Sequence, residues 1–113
     1  MSPASPTLLV VDDEPKIRRI LELSLSDLGY RVLGAANATE AETLLSEEPV
    51  DLVLADLQLP DRSGIELLER IRAAHADLPV ILITAYGSVE TAVRAIKLGA
   101  FDYVVKPFAV EEI

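Results

Sequence analysis

The sequence predicts an α/β domain: a parallel sheet of five strands with helices wound over both faces. Three observations predict it. Short apolar runs alternate with longer stretches of helical period, in units of about two dozen residues, as strand–helix crossover units do. The runs, TLLVV and PVILIT among them, are continuously apolar, as strands buried on both faces are. Half of the 113 residues are apolar, enough for one packed core and, at this length, for one domain.

Each element follows in order. TLLVV (7–11) is the first strand. In EPKIRRILELSLSDLG, the residues Ile17, Ile20, Leu21, Leu25 and Leu28 are expected on one inward helical face. Pro15 suits the first turn and Gly29 the stop. YRVLGA (30–35) is the second strand. Asn37 with Glu40 reads as a capping box, opening a second helix with Ala41, Leu44 and Leu45 inside. VDLVLAD (50–56) is the third strand, and Ser63 with Glu66 marks a helix that buries Leu67, Leu68 and Ile71. PVILIT (79–84) is the fourth strand. Ser88 caps a fourth helix, with Val89, Ala92, Val93 and Ile96 expected inside and Gly99 at its stop. FDYVV (101–105) is the fifth strand.

Right-handed crossovers leave few topologies for five such strands, and the flavodoxin-like, doubly wound order 2-1-3-4-5 is expected. Helix one then covers one face and helices two, three and four the other. A fifth helix should follow KPFAVEEI and is missing or truncated. Phe101, Val105 and part of Ile17 or Leu21 are therefore expected to be uncovered.

Composition excludes several classes. There is no cysteine, hence no disulfide framework and no thiolate zinc site, which suits a reducing cytoplasm. No apolar run approaches the ~20 residues that cross a bilayer, so no membrane partner is expected. MSPASPT lacks a basic region and an apolar segment, so residues 1–6 read as a flexible tail and not a secretory signal. The net charge of −9 argues against direct nucleic-acid binding, which needs Lys and Arg to neutralise phosphates.

In an open parallel sheet, ligands bind outside the carboxyl ends of the strands, near the point where strand order reverses. Strand one ends in Asp12, Asp13 and Glu14, strand three in Asp56, strand four in Thr84 and strand five in Lys106. Singly, these residues are ordinary: an acid can cap a helix, a threonine can close a strand, a lysine can be a solvated charge. Together they put carboxylates, a hydroxyl and an ammonium at one rim. Carboxylates so close repel, and a hard divalent cation with oxygen ligands relieves them; Mg²⁺ suits a site with few carboxylates and retained waters. Such a site complements a phosphoryl group in transfer. A carboxylate there can attack phosphorus, and Asp56 is placed to do so from the end of a rigid strand. His75, near the end of the third helix, reads as a surface residue.

The motifs VVDDE, LVLADLQLPDRSG, ILITAYG and GAFDYVVKPF resemble the receiver domains of two-component response regulators, from about Leu8 to Phe108. The stretch AYGSVETAVRAIKLGAFDYVVKPF is most similar to receivers of nitrogen-regulation-type enhancer-binding transcription activators. The resemblance implies a receiver over residues 7–113, cut before or within helix five, whose Asp56 takes a phosphoryl group from a sensor histidine kinase. It implies Mg²⁺ (or Mn²⁺) held by Asp13 directly, by Asp12 through water, by Asp56 and by the backbone carbonyl of Gln58. Thr84 would bond the phosphoryl group and Lys106 would pair with it, ahead of a cis Lys106–Pro107 bond. Thr84 and Tyr103 would form a switch that reads out on helix four and strand five. Tyr86, at the mouth of the site, would shield the phosphoryl group from water. The implied setting is cytoplasmic, with an output domain beyond the carboxyl end, possibly DNA-binding, and homodimerisation through the face of helix four, strand five and helix five.

Other classes remain open from the residues. A non-phosphorylated receiver-like interaction module would usually have lost a site residue, and none is missing. An aspartate-nucleophile phosphohydrolase would resemble its class in having a second acid two residues after Asp56, where Gln58 stands. A flavin carrier would want a phosphate-cradling loop where DDEPK stands.

Overall fold

The computed structural model describes residues 6–57, 59–61, 63–84 and 89–105, with the backbone alone at 84, 89–92 and 102–105. Five strands, β1 (Thr7–Val11), β2 (Arg31–Ala35), β3 (Leu52–Asp56), β4 (Val80–Thr84) and β5 (Asp102–Val105), alternate with α1 (Pro15–Asp27), α2 (Ala38–Glu47), α3 (Gly64–Ala74) and α4 (Val89–Lys97). The sheet is wholly parallel in the order β2-β1-β3-β4-β5, as expected.

Alternation along the strands sorts the core into two layers. Leu8, Val10, Leu54, Ile81 and Ile83 face α1, where they meet Leu21 and Leu25. Leu9, Val11, Val53, Ala55, Val80 and Leu82 face the other way, onto Ala41 and Leu45 of α2, Leu67, Leu68 and Ile71 of α3, and Ala95 of α4. All five residues of β1 are buried, because it lies between β2 and β3 and under helices on both sides. Each large apolar side chain so buried is worth about 1.5–3 kcal/mol.

Two glycines end helices as their positions suggest. Gly29 has φ 96° and Gly99 φ 104°, a conformation that L side chains rarely adopt. At each, a pair of bonds closes the last turn: Gly29 N–H to Ser26 O with Tyr30 N–H to Leu25 O, and Gly99 N–H to Ile96 O with Ala100 N–H to Ala95 O. That pairing is the Schellman motif.

The inward faces of α1 and α4 differ from expectation. Ile20 and Leu28 are exposed, while Leu21 and Leu25 are buried and Ile17 is half-buried. In α4, Val93 is 46% and Ile96 50% exposed, and among its described side chains the buried one is Ala95; the side chains of Val89 and Ala92 lie outside the described residues. A small side chain lets a helix axis approach the sheet closely, so Ala95 takes the contact and the larger residues turn outward. Phe101 is exposed as expected, but Leu21 is buried. His75 is exposed, at the carboxyl end of α3. No helix among the described residues is long and apolar enough to cross a membrane.

Candidate functional site: an acidic group at the carboxyl rim

Strand register builds the site. Val11 pairs with Ala55 across β1 and β3, so the next residues, Asp12 and Asp56, emerge side by side. Asp12, Asp13 and Asp56 each place a carboxylate oxygen within 4.8 Å of the others. Asp12 is only 2% exposed and Asp56 8%, whereas Asp13 is exposed. Acids are rarely buried without a partner.

The backbone around Asp12 is held on three sides. Its N–H donates to Ala35 O at 3.0 Å, and its carbonyl accepts Arg18 Nη1–H at 2.7 Å. Its Oδ1 accepts the Glu14 N–H at 2.9 Å, turning the chain into α1. Pro15 sits in the first turn, where a missing N–H costs nothing. Arg18, six residues past Asp12 on the next helix, belongs to no motif that marks it in the sequence.

Asp56 ends β3 and is followed by Leu57, whose N–H donates to Ile83 O at 2.8 Å. The chain returns at once, with the Gly64 N–H donating to Leu57 O at 2.6 Å. A Cβ on Gly64 would collide with the Asp56 carbonyl oxygen and come within 2.8 Å of Leu57 Cα. Glycine at 64 therefore lets the start of α3 lie directly against the strand end that carries Asp56. Ser63 caps α3 as expected, accepting the Glu66 N–H at 3.1 Å.

The next rim belongs to α2. Asn37 Oδ1 accepts the Glu40 N–H at 2.8 Å, and Glu40 Oε1 accepts the Ala36 N–H at 2.9 Å, one residue earlier than a standard capping box. A second cap comes from the β3–α3 loop, where the Asp61 carboxylate accepts the N–H groups of Ala38 and Thr39.

Of the other residues singled out, Thr84 ends β4, one position beyond Ile83, the register partner of Asp56. Tyr103 lies in β5 opposite Leu82. Gln58, Tyr86, Ser88, Lys106 and Pro107 lie outside the described residues, as do the side chains of Thr84, Tyr103 and Val105. The site thus brings together Asp12, Asp13 and Asp56. Three hard oxygen donors, two of them buried, are a donor set suited to a divalent cation.

A doubly wound sheet with an acid pair after β1 and a rim acid on β3 is the arrangement that a receiver domain is expected to have. Residues 8–113 match the response regulator receiver domain family, and the chain belongs to it. It is 50% identical over 99 residues to the response regulator protein PilR of Pseudomonas aeruginosa, covering 88% of this chain and 22% of that protein. Among solved structures, a CheY-like response regulator receiver domain protein from Methanospirillum hungatei superposes with a TM-score of 0.92 at 33% identity, covering 96% of this chain and 87% of that one. The beryllofluoride-activated NtrC4 receiver domain dimer superposes with a TM-score of 0.89 at 40% identity, covering 94% and 88%. The likeness to receivers of nitrogen-regulation-type activators is borne out by PilR and NtrC4. The chain spans about a fifth of the length of PilR and of the NtrX-like and AtoC relatives, and less than half of two shorter transcriptional regulators.

Proposed function

We propose that Asp56 is the phosphoacceptor. Its carboxylate oxygen attacks phosphorus in line with the P–N bond of a histidine kinase's phosphohistidine. That bond breaks, its electron pair returns to the imidazole nitrogen, which takes up a proton, and an acyl phosphate is left on Asp56. The observation that carries this is the grouping of Asp12, Asp13 and Asp56 at the carboxyl rim, with Asp56 buried on a rigid strand. Asp13, Asp56 and the Gln58 carbonyl would hold Mg²⁺ (or Mn²⁺), with Asp12 acting through water. Bound there, the ion supplies countercharge for the phosphoryl oxygens. Thr84 donates its hydroxyl to the phosphoryl group and Lys106 pairs with it.

The phosphoryl group adds up to about two negative charges and new acceptor oxygens. Thr84 moves toward it, the Tyr103 ring fills the space, and the surface of α4 and β5 changes. Tyr86 slows hydrolysis. The substrate is the domain's own Asp56, so this is a switch and not an enzyme acting on other molecules. Residues 7–113 form the receiver, and residues 1–6 are a tail. The partners are a sensor histidine kinase and, in the whole cytoplasmic protein, a transcriptional output domain. A homodimer through the α4–β5 side accompanies activation, and the receiver itself does not touch nucleic acid.

Acetyl phosphate tests the reading. Incubation with Mg²⁺ should give a single phosphoryl adduct by intact mass, stable to acid, lost with hydroxylamine and absent without Mg²⁺. No adduct would leave an unphosphorylated interaction module. Steady release of phosphate from a generic monoester would make the protein a hydrolase.

A further inference from the structure

Asp61, between β3 and α3, is fastened to a different element. The Asp61 carboxylate accepts the Ala38 N–H at 2.9 Å through Oδ1, and through Oδ2 the Thr39 N–H at 2.9 Å and the Thr39 hydroxyl at 2.7 Å. These bonds span 22 and 23 positions of sequence. A helix start leaves four N–H groups without an intrahelical acceptor, and Asn37 takes only that of Glu40. Asp61 takes two more, those of Ala38 and Thr39, from outside the helix, so the bonds that cap α2 also tie the loop to it.

The loop is held elsewhere as well. Leu57 is bonded to Ile83 O, and Gly64 is bonded back to Leu57 O. On the other side, α2 follows directly from β2, whose Ala35 carbonyl receives the Asp12 N–H. Asp61 thus closes a connected path from Asp56, through the loop and the start of α2, to Asp12. The carboxylate lies well below the usual range, first through the Thr39 hydroxyl and then through the Ala38 N–H, so it is ionised at neutral pH. Its oxygens are taken up by α2, and it is not one of the acids grouped at the rim.

We propose that Asp61 is a positioning residue for the rim site: by pinning the β3–α3 loop to α2, it fixes the spacing of Asp56 from Asp12 and Asp13 at which a divalent cation is taken. This rests on the reading of that site as a Mg²⁺ site. Without the pin, the three acids are free to spread under their own repulsion. Groups that orient metal ligands from outside typically change affinity by about tenfold to a hundredfold.

The test is Mg²⁺ affinity by titration calorimetry on the whole chain, with amide exchange of Ala38 and Thr39 followed alongside. Asp61→Ala should weaken Mg²⁺ binding about tenfold. Thr39→Val, which removes only the hydroxyl bond, should weaken it less. Asn37→Ala loosens α2 from its own side and should leave the affinity unchanged. Mg²⁺ should slow exchange at Ala38 and Thr39 in the parent chain but not in Asp61→Ala. Should Asp61→Ala fail to fold, Thr39→Val and the exchange data decide. Parent-like affinity in Asp61→Ala, or an equal loss in Asn37→Ala, overturns the proposal. A parent chain whose Mg²⁺ affinity is unaltered by Asp13→Asn instead overturns the reading of the site, and the pin with it.

Discussion

Two helices begin at the same end of the sheet, and they use acids in opposite ways. At the start of α2 the side chains serve the helix: Asn37 and Asp61 are bonded to backbone N–H groups of its first turn, and Glu40 to that of Ala36, just before the N-cap. At the start of α1 the N-cap residue, Glu14, makes no side-chain cap. One oxygen of Asp12 turns the chain, and Asp13 makes no bond to the helix among those described. The difference teaches where the fold gives up local stability. Acids that cap a helix are satisfied and contribute to stability; acids grouped with Asp56 also repel one another, a cost that a cation relieves.

That contrast can be broken by substitution. The largest effect is expected from Asp56→Asn, which should abolish the acetyl phosphate adduct by intact mass while leaving urea stability equal or higher, since a repelling charge is removed. A stable adduct on the variant would move the chemistry elsewhere. Asp13→Asn should weaken Mg²⁺ binding by about ten- to a hundredfold in calorimetry, again without loss of stability.

Gly64→Val sharpens the boundary between the two classes. It should cost about 1–3 kcal/mol in a urea melt, because the new side chain meets backbone and not a flexible neighbour. It should also slow phosphorylation by displacing the Asp56 strand end. On the capping side, Asn37→Ala should cost about 1 kcal/mol and leave the phosphorylation rate unchanged.

The smallest effect is a pH dependence. The folded-state pKa of Asp61 is depressed, so its contribution is complete above the ordinary carboxylate value, about 3.9, and is lost as pH falls through the depressed value. The stability difference between the parent and Asp61→Ala should therefore be constant near neutrality and shrink in strong acid. A difference that holds in acid would show that the charge on Asp61 contributes nothing.

Sequence made the strands legible because burial on both faces leaves continuous apolar runs, and β1 matches its run residue for residue. The rim acids were legible because strand ends can be aligned once the order is known. The outward turn of Val93 and Ile96 was not, because hydropathy weights large residues and overlooks an alanine such as Ala95 that permits close approach. The cap from Asp61 was not, because capping rules are local and the accepting carboxylate lies 23 positions away from Ala38. The support of Asp12 by Arg18 depends on how α1 leaves the strand, which no spacing rule states.

On the ribosome the amino end emerges first, and the strand order suits that direction. Once β1 and β2 are made, β3 adds beside β1, β4 beside β3 and β5 beside β4, so no strand waits for a later one to be threaded past it. The vulnerable moment comes with β4. VILIT carries no charge and no proline, and until β5 arrives it is an open edge of the kind that pairs with foreign chains. Residues 85–101 separate the two strands, a gap that synthesis at roughly 5–20 residues per second crosses in about one to three seconds. A nascent chain from which β4 but not β5 has emerged presents VILIT to its neighbours, whereas one whose Val105 has emerged has its partner strand in hand.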